Sequence, residues 1–413
     1  MAQSGHKIDL FSVDTQYAGA LDGVRALSVL TVLWFHFWQQ TWLMPAYATP
    51  FLSAIGINTI DFNMFRRCGY LAVDFMILLS GFVLFLPHAR QVFEGTSTDG
   101  IGRFYRKRAA RILPSYLLAT ILMFLYAVSA GFYNNTGAGF LWADLFAHVT
   151  FGTMLFESTY LFSQITGVLW TVAIEVMFYA IFPFLAKAFK RFPLLTYGGM
   201  LVIGLSFTYG FAMQQSNTSF MVNRFLTFFP VFATGMMGAY LYVGYANRVK
   251  HKAPFSIAAT VVTVLAAILL VKFFRSCLTA SLASWAQTWQ LQYRFPLALT
   301  FGVFVLSLCI SIKPLRAIFS CGVFRYLSAI SFNMYLWHQW LMVRLRESYG
   351  FTSGRGAYEA GATTQWTLTL EALLLAIALA SLLTYAFEKP LANLIMGKYK
   401  KSKRPEIQNA SNL

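Results

Sequence analysis

The stretch "VRALSVLTVLWFHF", residues 24–37, is apolar enough for a bilayer interior, yet it opens on Arg25 and carries His36 near its far end. At about 100° per residue, their eleven-residue separation is three turns plus about 20°. Both side chains therefore share one helix face, about 16 Å apart along the axis. An ionisable group at bilayer depth costs about 2.5–3.5 kcal/mol on insertion scales, and such groups face a bundle interior or a hydrated cavity. The stretch thus reads as a membrane helix that lines something.

The whole composition agrees. Of 413 residues, 58% are hydrophobic, 17% aromatic and only 11% charged, which excludes an ordinary soluble domain. Mean hydropathy is +0.58, and apolar runs near twenty residues recur along the chain. The expected fold is an all-α integral membrane protein of about ten spans, at 24–43, 69–87, 112–133, 168–187, 193–213, 224–246, 255–275, 294–312, 325–346 and 366–388. The segment 134–167 is apolar enough to dip into the interface. Counting it as a span would invert everything after it, so it reads as interfacial or re-entrant and His148 as an interface histidine.

The net charge of +17 is spread among hydrophobic spans, which favours topology-setting charge and no nucleic-acid partner. With the N-terminus inside, 23 of the 32 Lys and Arg fall on the inner side, placing both termini in the cytoplasm. Residues 1–23 form a polar cytoplasmic segment without signal-peptide layout, residues 24–390 the transmembrane domain, and 391–413 a basic tail suited to anionic lipid. The four cysteines, 68, 277, 309 and 321, lack metal-ligand spacing, and no metal is expected. Cys68 and Cys277 share the outer side, where either a disulfide or two buried thiols would fit.

Three more ionisable groups sit deep in spans: Asp74, Glu175 and His338. Thr171, Glu175 and Tyr179 form one polar stripe at helical spacing, and Ser331, Tyr335 and His338 another. Two acids and two histidines on four helices are best accommodated in one hydrated cavity. On the opposite side, "GRFYRKRAARILPSYLL" gathers Arg106, Arg108 and Arg111 just before the third span, with Pro114 in that span's first turn. A guanidinium cluster there either sets topology or holds phosphate. Together with Arg25 and His36 it describes a channel for an elongated ligand, anionic at one end and reactive at the other. An acyl-CoA fits, its phosphates at Arg106, Arg108 and Arg111, Arg25 below them as a further donor-binding residue, and its thioester near His36. His36, held by Asp74 or Glu175, would be the general base, with His338 orienting the acceptor or protonating the thiolate, and Tyr179 and Tyr335 lining the substrate path.

These blocks resemble the membrane acyltransferase-3 family, bacterial integral-membrane O-acyltransferases, over residues 20 to 390. "LDGVRALSVLTVLWFH" is similar to its Arg-(ten residues)-His signature through Arg25 and His36. "VDFMILLSGFVLF" resembles a Val-Asp-Phe-Phe…Leu-Ser-Gly-Phe block with Met76 for a usual Phe, and "FYRKRAARILPSY" an Arg-x-x-Arg…Pro block through Arg108, Arg111 and Pro114. "LWTVAIEVMFYAIFP" keeps Glu175, while "YLSAISFNMYLWH" and "FEKP" resemble the last two blocks. The resemblance implies transfer of an acyl group, most often acetyl from acetyl-CoA, to a hydroxyl of an envelope glycan such as lipopolysaccharide O-antigen or a lipid-linked sugar. It also implies a bacterial inner-membrane location. The competing expectation is a proton-coupled secondary transporter, since intramembrane acids and histidines also mark proton relays.

Overall fold

The structure is a computed structural model that describes residues 19–43, 46–48, 59–248 and 252–397. The readings of the N-terminal segment before residue 19 and of the tail after 397 lie outside the described residues. Among those residues, nine helices are long and apolar enough to cross a membrane. A tenth qualifies when the bent pair Lys313–Phe319 and Gly322–Ser348 is taken as one span. In chain order the ten are α1 Ala20–Thr41, α2 Ala72–Glu94, α3 Ile101–Ser129, α4 Trp170–Arg191 and α5 Pro193–Gly210. They continue with α6 Phe229–Arg248, α7 Lys252–Leu282, α8 Ala286–Ile310, α9 Gly322–Ser348 and α10 Ala362–Leu382. Every expected span finds its helix, so this is a multi-pass all-α membrane protein. A ribbon of three residues per strand, Ala46–Ala48 against Thr59–Asp61, interrupts the helical pattern after α1.

The bundle forms around α1, which packs against α2, α8, α9 and α10. One of its faces is almost fully buried through Leu21, Val24, Val29, Val32 and Leu33, which fits helix-on-helix packing inside a membrane. Its first turn is anchored by Ser328 Oγ of α9, which donates to the buried carboxylate of Asp22 at 2.9 Å. The tightest crossing is α2 on α6. A Cβ at Gly235 would fall 2.0 Å from the Leu78 carbonyl oxygen, and one at Gly81 2.3 Å from that of Phe232. Glycine is required at both points because backbone meets backbone there. The helices α5 and α7 expose most of their apolar surface and form the periphery.

Two boundaries differ from expectation. Helix α3 runs 29 residues from Ile101, so the arginine cluster lies on the helix itself instead of a loop before it. Pro114 consequently sits in the helix interior, where it leaves the Ala110 carbonyl without its helical donor. A basic, charge-rich stretch reads as a loop by hydropathy, yet Arg and Lys are good helix formers and extend the span into water. Helix α10 passes through a π turn at Leu383–Glu388 before Lys389–Ile395. That widening turns Glu388 inward, where its carboxylate accepts from Asn333 Nδ2 of α9 and, at 3.4 Å, from Ser115 Oγ of α3.

The segment between α3 and α4 folds back without spanning. Its helix Ala138–Val149 has only twelve residues and leaves Trp142 and Phe146 exposed, which matches an interfacial or re-entrant element. The buried Asp144 carboxylate ties it down by accepting from Tyr133 Oη at 2.7 Å, Ser163 Oγ at 3.2 Å and the Gln164 N–H at 3.0 Å. His148 is a buried member of the same helix, its Nδ1–H donating to the Asp144 carbonyl one turn back at 2.9 Å. Its own carbonyl accepts from Tyr116 Oη of α3 at 2.9 Å, which ties the element to the bundle.

Candidate active site

Arg25 and His36 lie on one face of α1, but they open into different spaces. Arg25 lines a narrow cavity of about 80 Å³ toward the end of the bundle where α1 begins. Its other walls include Arg108 and Arg111 from α3, Glu175 and Tyr179 from α4, and Ser331 and Tyr335 from α9. His36 lines a larger cavity of about 410 Å³ toward the opposite, loop-bearing end, together with Arg67, Tyr160, Asn223, Gln290 and Tyr335. Val73 and Tyr335 belong to both walls, so the two chambers meet at these side chains.

The basic chamber collects three guanidiniums around one carboxylate. Glu175 accepts from Ser80 Oγ at 3.1 Å and from Tyr179 Oη, so its charge is held by hydroxyls rather than by an arginine. Arg108 packs over the Phe104 and Tyr179 rings, 5.9 and 5.7 Å from their centroids, and its buried Nε has no hydrogen-bond partner. An orphaned guanidinium donor beside two further arginines is the chemistry of an oxyanion or phosphate site. Arg106 is exposed and outside this wall. Two residues along a helix rotate about 200°, which turns Arg106 away when Arg108 faces inward.

The loop-end chamber holds the imidazole. His36 Nδ1 lies 2.9 Å from Gln39 Oε1 and 3.2 Å from Gln339 Nε2. With the proton on Nδ1 donating to Gln39, Nε2 keeps its lone pair free to act as a base. The expected carboxylate–imidazole bond is not formed among the described residues: Gln39 Oε1 takes its place, and Gln339 Nε2, itself a donor, lies beside Nδ1 without bonding it in this tautomer. His338 stands behind His36, with ring centroids 5.0 Å apart. Its Nδ1–H donates to the Tyr335 carbonyl at 2.7 Å, leaving a buried Nε2 with no partner. In that tautomer His338 accepts a proton and has none to give to a thiolate. Tyr335 Oη receives the Thr171 hydroxyl at 3.0 Å, which fixes the ring at the junction.

Asp74 is fully buried and lines neither chamber. Its partner is Arg294 of α8, with Nε 3.2 Å from Oδ2. Arg294 also donates to the Val222 carbonyl and, at 2.6 Å, to Thr227 Oγ1, and it covers the Phe228 ring at 4.1 Å. Val222 and Gln290 line the loop-end chamber, so the Asp74–Arg294 pair supports the chamber from behind. Sequence reading missed Arg294, Gln39 and Gln339. Arg294 was discoverable, since a deep aspartate requires a cation; neutral amides give no such signal.

Of the four deep groups, Glu175 lines the guanidinium-rich chamber and His36 the loop-end chamber, while Asp74 and His338 are buried behind the walls. Cys68 and Cys277 are both free thiols, buried within reach of each other, with Tyr70 Oη 3.1 Å from Cys277 Sγ.

Comparison with known proteins places the chain in a family. A 59-residue stretch, 14% of this chain, is 46% identical to "Protein 2 in picA locus" of Rhizobium radiobacter. It covers 30% of that protein, so the chain spans less than a third of that relative's length. No solved structure matches the chain. The family model described as "Acyltransferase domain" matches residues 19–385, nearly the whole chain and every helix that builds the two chambers. The chain belongs to the acyltransferase-3 family.

Proposed function

We propose that the protein moves an acyl group, acetyl in the simplest case, from an acyl-CoA to a hydroxyl of a cell-envelope glycan such as lipopolysaccharide O-antigen or a lipid-linked sugar. The donor enters from the basic end, which we assign to the cytoplasm of a bacterial inner membrane, and the acceptor from the loop end. One observation carries this reading: Arg25 and His36, on one face of α1, open into two chambers that meet at Val73 and Tyr335.

Arg25, Arg108 and Arg111 would hold phosphate oxygens of the donor, the unpartnered Arg108 Nε among the donors available. The chamber they form is narrow, which suits an extended arm and leaves the nucleotide at the mouth, where Arg106 is exposed. Tyr179 and Tyr335 line the path of the arm. His36 Nε2 takes the acceptor hydroxyl proton as that oxygen bonds to the thioester carbonyl carbon. The C–S bond breaks and the departing thiolate takes up the proton that His36 Nε2 received, which restores the neutral imidazole. The buried lone pair of His338 accepts a hydrogen bond or proton from beside His36, and Asp74 acts through Arg294 on the chamber wall. Removal of one positioned base typically costs about 10²–10⁴-fold.

Mass spectrometry of envelope glycans from cells with and without the protein tests this reading. A gain of one acetyl mass that disappears in His36→Ala, at unchanged protein level, is the expected result. A glycan unchanged by the wild-type protein, or acetylated equally by His36→Ala, contradicts it.

A further inference from the structure

The loop-end chamber carries one sign of charge. Arg67 lies in its wall, and no aspartate or glutamate lines it among the described residues. The Arg67 guanidinium sits 5.2 Å from the centroid of the Trp38 ring, and that of Arg66 sits 5.3 Å from the same centroid. An indole face attracts a cation without neutralising it, so the charge of Arg67 persists in the cavity wall. Arg67 Nε is buried without a hydrogen-bond partner, and no carboxylate pairs with this side chain among the described residues. A guanidinium offers five donors in a planar fork that matches carboxylate and phosphate oxygens two at a time.

The remaining wall is suited to a sugar. Asn223, Gln287 and Gln290 supply amide donors and acceptors, and Trp170 and Tyr160 supply ring surface. The volume of about 410 Å³ falls among small-ligand pockets, which run from about 300 to 1,000 Å³. We propose that this chamber selects an anionic acceptor, a sugar bearing a carboxylate or phosphate group, with Arg67 as the residue that reads the charge. This rests on the reading of the loop-end chamber as the acceptor site.

Equilibrium binding to the purified full-length protein in lipid nanodiscs tests it with three probes: methyl glucuronide, glucose 6-phosphate and neutral methyl glucoside. At least one anionic probe should bind about tenfold more tightly than the neutral one, as expected for a charge-assisted bidentate contact. Arg67→Gln should bring that ratio close to one, while Arg67→Lys, which keeps the charge, should retain part of it. Which anionic probe is preferred identifies the group as carboxylate or phosphate. Equal affinity for charged and neutral probes, a preference that survives Arg67→Gln, or no binding of any probe would overturn the proposal. Acetyl transfer measured on the same preparation separates the outcomes: transfer without charge preference removes only the anionic selectivity. A charge preference without transfer removes the transferase chemistry and leaves the binding site.

Discussion

Asp74 is fully buried and its partner Arg294 almost so, a situation tolerable only while the two charges face each other. Removing one partner leaves a buried charge uncompensated, which costs about 3–5 kcal/mol. Arg294→Met is therefore expected to lower stability by that amount in thermal or denaturant unfolding, and Asp74→Leu added to it should restore most of the loss. An Arg294→Met protein as stable as wild type would contradict the pairing. At this scale the sequence was informative where the helical period alone decided the outcome, as for Arg25 and His36. It was silent where a helix end mattered. Starting the eighth span at 294 leaves Arg294 as a flanking charge, whereas α8 begins at Ala286 and carries it inside. Gln39, which holds His36, and Gln339 beside it have no charge whose burial would need explaining.

Among the elements, α2 and α6 and the folded-back segment each make a measurable commitment. Because a Cβ at Gly235 would strike the Leu78 backbone, Gly235→Ala should destabilise by about 1–3 kcal/mol, as overpacking does. Gly198→Ala on α5, where nothing lies within 4 Å of the added carbon, should leave stability unchanged or raise it slightly. Equal effects of the two substitutions in a melting experiment would refute the close crossing. In the folded-back segment burial opposes the Asp144 charge, but His148, Tyr133 and the Gln164 N–H outweigh it and hold the carboxyl below its ordinary value of 3.8. Its folded pKa is thus lower than its unfolded one. The stabilisation is complete above about pH 4 and is lost as pH falls through the folded value. Asp144→Asn should lower the melting temperature at pH 7 and flatten its decline below pH 4; an unaltered acid profile would show that Asp144 contributes nothing. The twelve-residue length and apolar character of Ala138–Val149 made this element legible, while the buried anchor beneath it depends on Tyr133 and Gln164, which only the fold brings near.

For the whole molecule, hydropathy sufficed to locate nine of the ten helices because each of these is a long apolar run among the described residues, while α9 qualifies only together with Lys313–Phe319. Their arrangement was not readable, and with it went the division of the deep polar groups. One common pocket was expected; the bundle instead builds two chambers that share Val73 and Tyr335. Membership in the acyltransferase-3 family favours acyl transfer over a proton-coupled transporter, and the proposed function gives the two chambers complementary tasks, one for the donor and one for the acceptor.

Transfer between the two chambers is the central claim, and sealed proteoliposomes test it most directly. De-acetylated envelope glycan is trapped in the lumen and [¹⁴C]acetyl-CoA is supplied only outside. Label should accumulate on the trapped glycan with wild-type protein and fall by about 10²-fold or more with His36→Ala. Label that appears only when donor and glycan share one side of the membrane, or that is undiminished by His36→Ala, would contradict it.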